Sequence, residues 1–194
     1  MTYLDFQRLT TIDPQTFQQA EPYPWVNPEG LLTTEGHQQL LETLPDVSLF
    51  QRRFGVARAH GQQSHDRFTL EYHNDLPLAP AWKSFVAELY GKEYQAWLQR
   101  LFNANYLELT LHWHYTPNGC SVSPHCDAKH KLGSHIFYLN TGSNWEEGWG
   151  GETVILDDEG KFDRQSAPKF EDFKNANNYN AKVAWQKRGC RGFH

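Results

Sequence analysis

At 194 residues, with 39% hydrophobic and 14% aromatic side chains, the chain has the length and apolar content for one packed domain, which excludes a disordered chain. Its formal net charge of −5 gives no general attraction to nucleic acid or to an anionic membrane. No run of about 18 apolar residues is present to span a bilayer. The start, Met1 to Asp5, has neither the basic nor the apolar region of a secretory leader. Cys120, Cys126 and Cys190 form no CxxC pair, so reduced thiols and a cytoplasmic setting are expected.

In chain order, Pro14, Pro22, Pro24 and Pro28 predict an irregular lead-in over residues 1–32. Thr34 is the expected cap of a helix carrying Leu40, Leu41 and Leu44 and stopping before Pro45. Residues 48–73 read as extended and turn-rich, with a strand over 67–72. Trp82, Phe85, Val86 and Leu89 recur at helical spacing before Gly91, and Tyr94, Trp97, Leu98 and Leu101 repeat that pattern over 92–102. Both stripes are expected core faces.

From Tyr106 the period becomes two. Strands are expected over 106–115, 134–140, 152–156 and 182–186, with a long polar stretch over 157–180. The order of helices followed by strands predicts an α+β domain, mainly β, over 1–194, with 1–105 as helical support and 106–194 as the β core.

The chemistry-bearing feature is His125-Cys126-Asp127. On extended backbone a histidine and an aspartate two residues apart share a side while the cysteine turns away. A later histidine, with His194 the candidate, completes two imidazoles and one carboxylate on one face of an iron ion. The tripeptide alone is weak, because 10 His and 10 Asp in 194 residues supply about half a match by chance. A second match, His73-Asn74-Asp75, lies beside Pro77 and Pro80 and reads as loop residues.

The surroundings of His125 are more specific. Tyr115-Thr116-Pro117-Asn118-Gly119 precedes it, and Tyr138-Leu139-Asn140 and Gly150-Gly151-Glu152 follow. Together these resemble the prolyl-4-hydroxylase-like branch of the 2-oxoglutarate- and iron(II)-dependent dioxygenases, over residues 106–156 and 182–194. The resemblance implies a double-stranded β-helix, a distorted jelly roll. It implies His125, Asp127 and His194 as catalytic metal ligands, with Tyr115 and Tyr138 hydrogen-bonding the two ends of 2-oxoglutarate. It also implies Fe(II), 2-oxoglutarate and O2 as cofactors, with ascorbate as an auxiliary reductant, and hydroxylation of a C–H bond in an amino-acid-like, peptidyl or small-molecule substrate. No nucleic-acid or membrane partner is indicated, and the oligomeric state is left open.

One departure stands out. Family members carry a basic residue, usually Arg, on the strand after the distal histidine, and this sequence stops at His194. The expectation is a chain whose final strand is missing; the alternative is a substitute cation among Lys129, Lys131, Lys187, Arg188 and Arg191. Arg67 either meets an anionic substrate group or, as expected, pairs with a surface carboxylate. Trp113 and Phe137 read as core, or as walls that exclude water from the reaction. His112, His114, His130 and His135 match no common zinc spacing. The competing functions are a non-catalytic jelly-roll binding module and a cupin-like metalloenzyme that does not use 2-oxoglutarate.

Overall fold

The computed structural model describes residues 1–128, 130–146, 149, 151–163, 165–173 and 178–181. The chain groups into two units interleaved in sequence: Met1–Gln18, Pro28–Gln51 and Thr69–Trp113 form the first, and the remaining segments form the second.

The lead-in to the first unit is more regular than its prolines predict. Asp5 caps helix α1 (Phe6–Thr10) by accepting from the Arg8 amide, and α2 spans Pro14–Gln19. Helix α3 (Thr34–Glu42) is capped one residue earlier than expected, by Thr33, whose Oγ1 accepts from the Gly36 amide at 3.1 Å. Thr34 is therefore the first helical residue. Helices α4 (Pro80–Leu89) and α5 (Lys92–Phe102) follow the predicted spans, and a proline in the first turn pre-sets φ for α4. Their apolar stripes are buried, including Trp82, Phe85, Trp97 and Leu101. Trp82 packs edge-on against Phe85 and Trp113, at 5.9 and 5.2 Å between ring centres, and donates its indole N–H to the Leu40 carbonyl. Burying each such ring contributes about 1.5–3 kcal/mol. Trp113 is thus partly buried against this core.

The N-terminal segment is tied into this core by a bridge between Leu4 and Leu32 and by the Glu88 carboxylate of α4. That carboxylate accepts from the backbone N–H groups of Tyr3 and Leu4 at 2.9–3.0 Å.

Three strands, β1 (Gln51–Arg53), β2 (Arg67–Glu71) and β3 (His112–Tyr115), form a sheet in the order β1-β2-β3. Strand β3 is shorter than the 106–115 span expected. In the second unit β4 (Thr153–Leu156) pairs antiparallel with β5 (Asn178–Ala181), with Thr153 opposite Ala181 and Leu156 opposite Asn178. Ile155 is fully buried, with Tyr23 and Trp25 packed against it. The end of the 157–180 stretch thus pairs as a strand, and a 3-10 turn at Phe170–Phe173 buries Phe173 against Phe162. No strand forms over 134–140 among the described residues, and 182–186 lies outside them. Cys120 is a free thiol, and Cys190 lies outside the described residues. No described helix is long and apolar enough to cross a membrane.

Candidate metal and anion site

The second unit brings a loop, residues 52–68, against the segment that holds His125 and Asp127. Phe54 and Phe68 meet edge-on at 5.3 Å, and the Arg52 guanidinium lies 4.3 Å over the Phe54 ring. The Gly55 amide donates to Asp66 Oδ1 at 2.8 Å, the Val56 amide donates to Ser64 Oγ at 3.1 Å, and Ser64 Oγ donates to Asp66. With φ at +63°, Gly55 holds a turn that a β-carbon would strain. Ser64, Asp66 and Phe68 therefore face the loop. Period-two alternation turns His65 and Arg67 to the other side. There buried Ser123 donates its hydroxyl to the Gln63 carbonyl, and the His65 and His125 rings lie 4.4 Å apart between centres.

His125 and Asp127 meet as their spacing predicts. Nε2 and Oδ1 are 3.5 Å apart, with side-chain exposures of 23% and 16%. The outer atom of each is engaged elsewhere. His125 Nδ1 lies 2.8 Å from the Ser123 carbonyl, which only accepts, so Nδ1 carries the hydrogen. Ser134 Oγ donates to Asp127 Oδ2 at 3.2 Å. On the inner side His125 Nε2 faces Asp127 Oδ1, which Lys131 Nζ also approaches. A single cation reaches both at ordinary metal–ligand lengths of about 2.0–2.2 Å. The backbone carbonyl behind the imidazole and the hydroxyl behind the carboxylate are the supports that orient metal ligands. The pair could supply two of the donors that a divalent cation requires.

Burial alone would raise the Asp127 pKa. The hydrogen bonds from His125 and Ser134 and the charges of Lys131 and His125 outweigh it, and the carboxyl stays below its ordinary value. Lys131 Nζ lies 3.8 Å from Oδ1. Arg58 Nη1 lies 2.6 Å from His65 Nε2. A guanidinium only donates, so Nε2 accepts and His65 is neutral. Burial, then His125, then Arg58 and Arg67 push the His65 pKa down to about 3. With Nε2 occupied, His65 is not placed as a metal ligand.

Both arginines are half-buried, and burial lowers the pKa of each. The charge of Arg58 adds to this for Arg67, and Asp127 works against it for both. Among the described residues Arg67 makes no ion pair with a surface carboxylate, contrary to what its sequence position suggested. Neither Arg58 nor His65 was legible as a site residue, because their adjacency to His125 is long-range and no local motif marks it.

Of the remaining sequence candidates, Tyr138 shares a hydrogen bond of 2.5 Å with Thr153 Oγ1 of β4, and its hydroxyl pKa is raised chiefly by burial. Tyr115 ends β3 half-buried, its pKa likewise raised by burial. Phe137 stacks on His135 at 4.0 Å. His73, Asn74 and Asp75 are exposed on a turn, as expected for loop residues. His194, Lys129, Lys187, Arg188, Arg191 and Gly150 lie outside the described residues. Among the described residues no three or more His, Cys, Asp or Glu gather to hold a metal ion, so the pair supplies two donors and needs a third. Comparison with protein-family models, with curated proteins and with solved structures finds no match.

Proposed function

We propose that the chain is a 2-oxoglutarate- and Fe(II)-dependent dioxygenase that hydroxylates a C–H bond, built on a jelly-roll core of the prolyl-4-hydroxylase-like kind. The observation that carries this reading is the facing of His125 Nε2 and Asp127 Oδ1 at 3.5 Å, each braced from behind. His194 is the proposed third ligand, on the strength of the sequence resemblance. Bound iron and 2-oxoglutarate would supply the oxygen activation and the decarboxylation that drives it.

The protein's own residues orient and insulate. The Ser123 carbonyl fixes the His125 tautomer that leaves Nε2 available. Ser134 holds the Asp127 carboxylate with one oxygen forward. Tyr138, anchored by Thr153, is the proposed donor to 2-oxoglutarate, with Tyr115 as its counterpart. Phe137 and His135 stack into an apolar wall that limits water. The test is succinate formation from 2-oxoglutarate by the chain supplied with Fe(II), oxygen and ascorbate. Succinate that disappears in Asp127→Ala and persists in Asp75→Ala is the expected result. A chain that binds metal and yields no succinate overturns the reading.

A further inference from the structure

We infer that Arg58 and Arg67 form a carboxylate-binding site beside the proposed metal ligands, and that the molecule oxidised is itself an anion held there by its carboxylate. This rests on the dioxygenase reading for the identity of the ligand, though not for the existence of the site.

The chain as a whole is acidic, with a net charge of −5, yet this corner of it is basic. Among the described residues Arg58, Arg67 and Lys131 all act electrostatically on one carboxylate, Asp127, and of these three cations Lys131 is the one within ion-pair distance of it. Arg58 spends one N–H on His65, a neutral acceptor that offsets none of its charge. Arg67 begins β2 with its guanidinium half-buried and no described carboxylate paired to it. Two guanidiniums drawn partly out of water and within electrostatic range of each other repel, an arrangement that an anion between them relieves. A divalent cation on His125 and Asp127 would sharpen that excess. Guanidiniums are planar forks matched to carboxylates, so a pair of them selects a carboxylate over a neutral amide of the same shape.

The placement favours the substrate rather than the cosubstrate. Arg58 stands one imidazole away from the ligand, through the stack of His65 on His125. Tyr138, proposed above to meet 2-oxoglutarate, is anchored on β4, a different segment. Two anion-binding elements on separate segments suit two anionic ligands.

The test uses the full chain and ligand-observed NMR, with benzoate as the carboxylate probe and benzamide as its neutral twin, with and without Zn(II). Benzoate should bind the metal-free chain at least tenfold tighter than benzamide. Arg58→Gln and Arg67→Gln should each lose that preference, and Arg67→Lys, which keeps the charge without the fork, should keep part of it. Equal binding of benzoate and benzamide, or benzoate binding unmoved in both Gln variants, overturns the site. A second arm titrates 2-oxoglutarate into the Zn(II)-loaded proteins. Affinity within threefold of wild type in the Arg variants supports assignment to the substrate, whereas a tenfold loss there hands the pair to the cosubstrate and overturns it. No 2-oxoglutarate binding to the loaded wild type overturns the dioxygenase reading and the substrate assignment with it, while the metal-free benzoate arm still decides whether the carboxylate site exists.

Discussion

Replacing Asp127 by Asn separates the charge of this side chain from its shape. The amide keeps an acceptor for the Ser134 hydroxyl, now at 3.2 Å, so stability should fall by no more than about 1 kcal/mol. Metal affinity should respond far more. Altering residues that merely support a metal ligand costs about 10–100-fold. Asp127 is itself the proposed ligand and the one carboxylate set against Lys131, Arg58 and Arg67. A loss of about 100-fold or more, about 2.7 kcal/mol, is therefore expected. The assay is titration with Mn(II), following free metal by electron paramagnetic resonance, at fixed ionic strength because Lys131 is 46% exposed and its share is screened by salt. Asp75→Asn, on an exposed turn, should stay within twofold of wild type. The reasoning fails if Asp127→Asn binds within threefold of wild type, if Asp75→Asn is the variant that loses metal, or if the wild-type chain binds none.

Three further outcomes follow from the fold. Gly36→Ala should destabilise by about 1–3 kcal/mol in urea, against the usual helix preference for Ala, because its Cβ would stand 2.6 Å from Thr33 Oγ1 and 2.9 Å from Tyr3 Cα; a gain in stability would contradict the packing described. Glu88→Gln should cost about 1.5–3 kcal/mol by turning an amide N–H group toward the Tyr3 and Leu4 donors, and an unchanged urea midpoint would show that this tie is slack. His135 has its pKa pushed down by burial from 6.5 to about 3, with Nε2 enclosed. The folded state thus favours the neutral ring, so its contribution is intact above pH 6.5 and is lost as pH falls from there toward 3. The loss is at most about 1.4 kcal/mol per pH unit, and less because part of the ring meets solvent. His135→Gln should flatten that acid limb of the stability profile, and an unaltered limb would clear His135.

The helices were legible because each carries an apolar stripe at one period and a breaker at its end, as Gly91 separates α4 from α5. Two threonines stand side by side before α3, so the sequence alone does not distinguish them as caps, and the backbone decides that Thr33 takes the cap. Asp5 and Asp13 were readable cap signals: Asp5 accepts from the Arg8 amide and Asp13 from the Thr16 amide. The prolines nearby obscured them. Strand β5, Asn178-Tyr179-Asn180-Ala181, has poor strand propensity and forms because β4 offers it a ladder, which no local signal announces. At the site, alternation predicted that His125 and Asp127 share a side, as they do at 3.5 Å, but it did not single them out, since His73-Asn74-Asp75 has the same spacing. Arg58 and His65 were not legible, since a loop closed by Gly55 and Asp66 brings them there.

The interleaving of the two units bears on how the chain is made. Tyr3 and Leu4 depend on Glu88, a partner synthesised 84–85 residues later, and the first unit is completed only at Trp113. At ribosomal rates of about 5–20 residues per second, the nascent N-terminal segment waits roughly 4–17 s for its partner. Through that interval Leu4, Leu9 and Leu40, each no more than 1% exposed once folded, are uncovered on the growing chain. That apolar surface is covered only when the later segments of the first unit arrive.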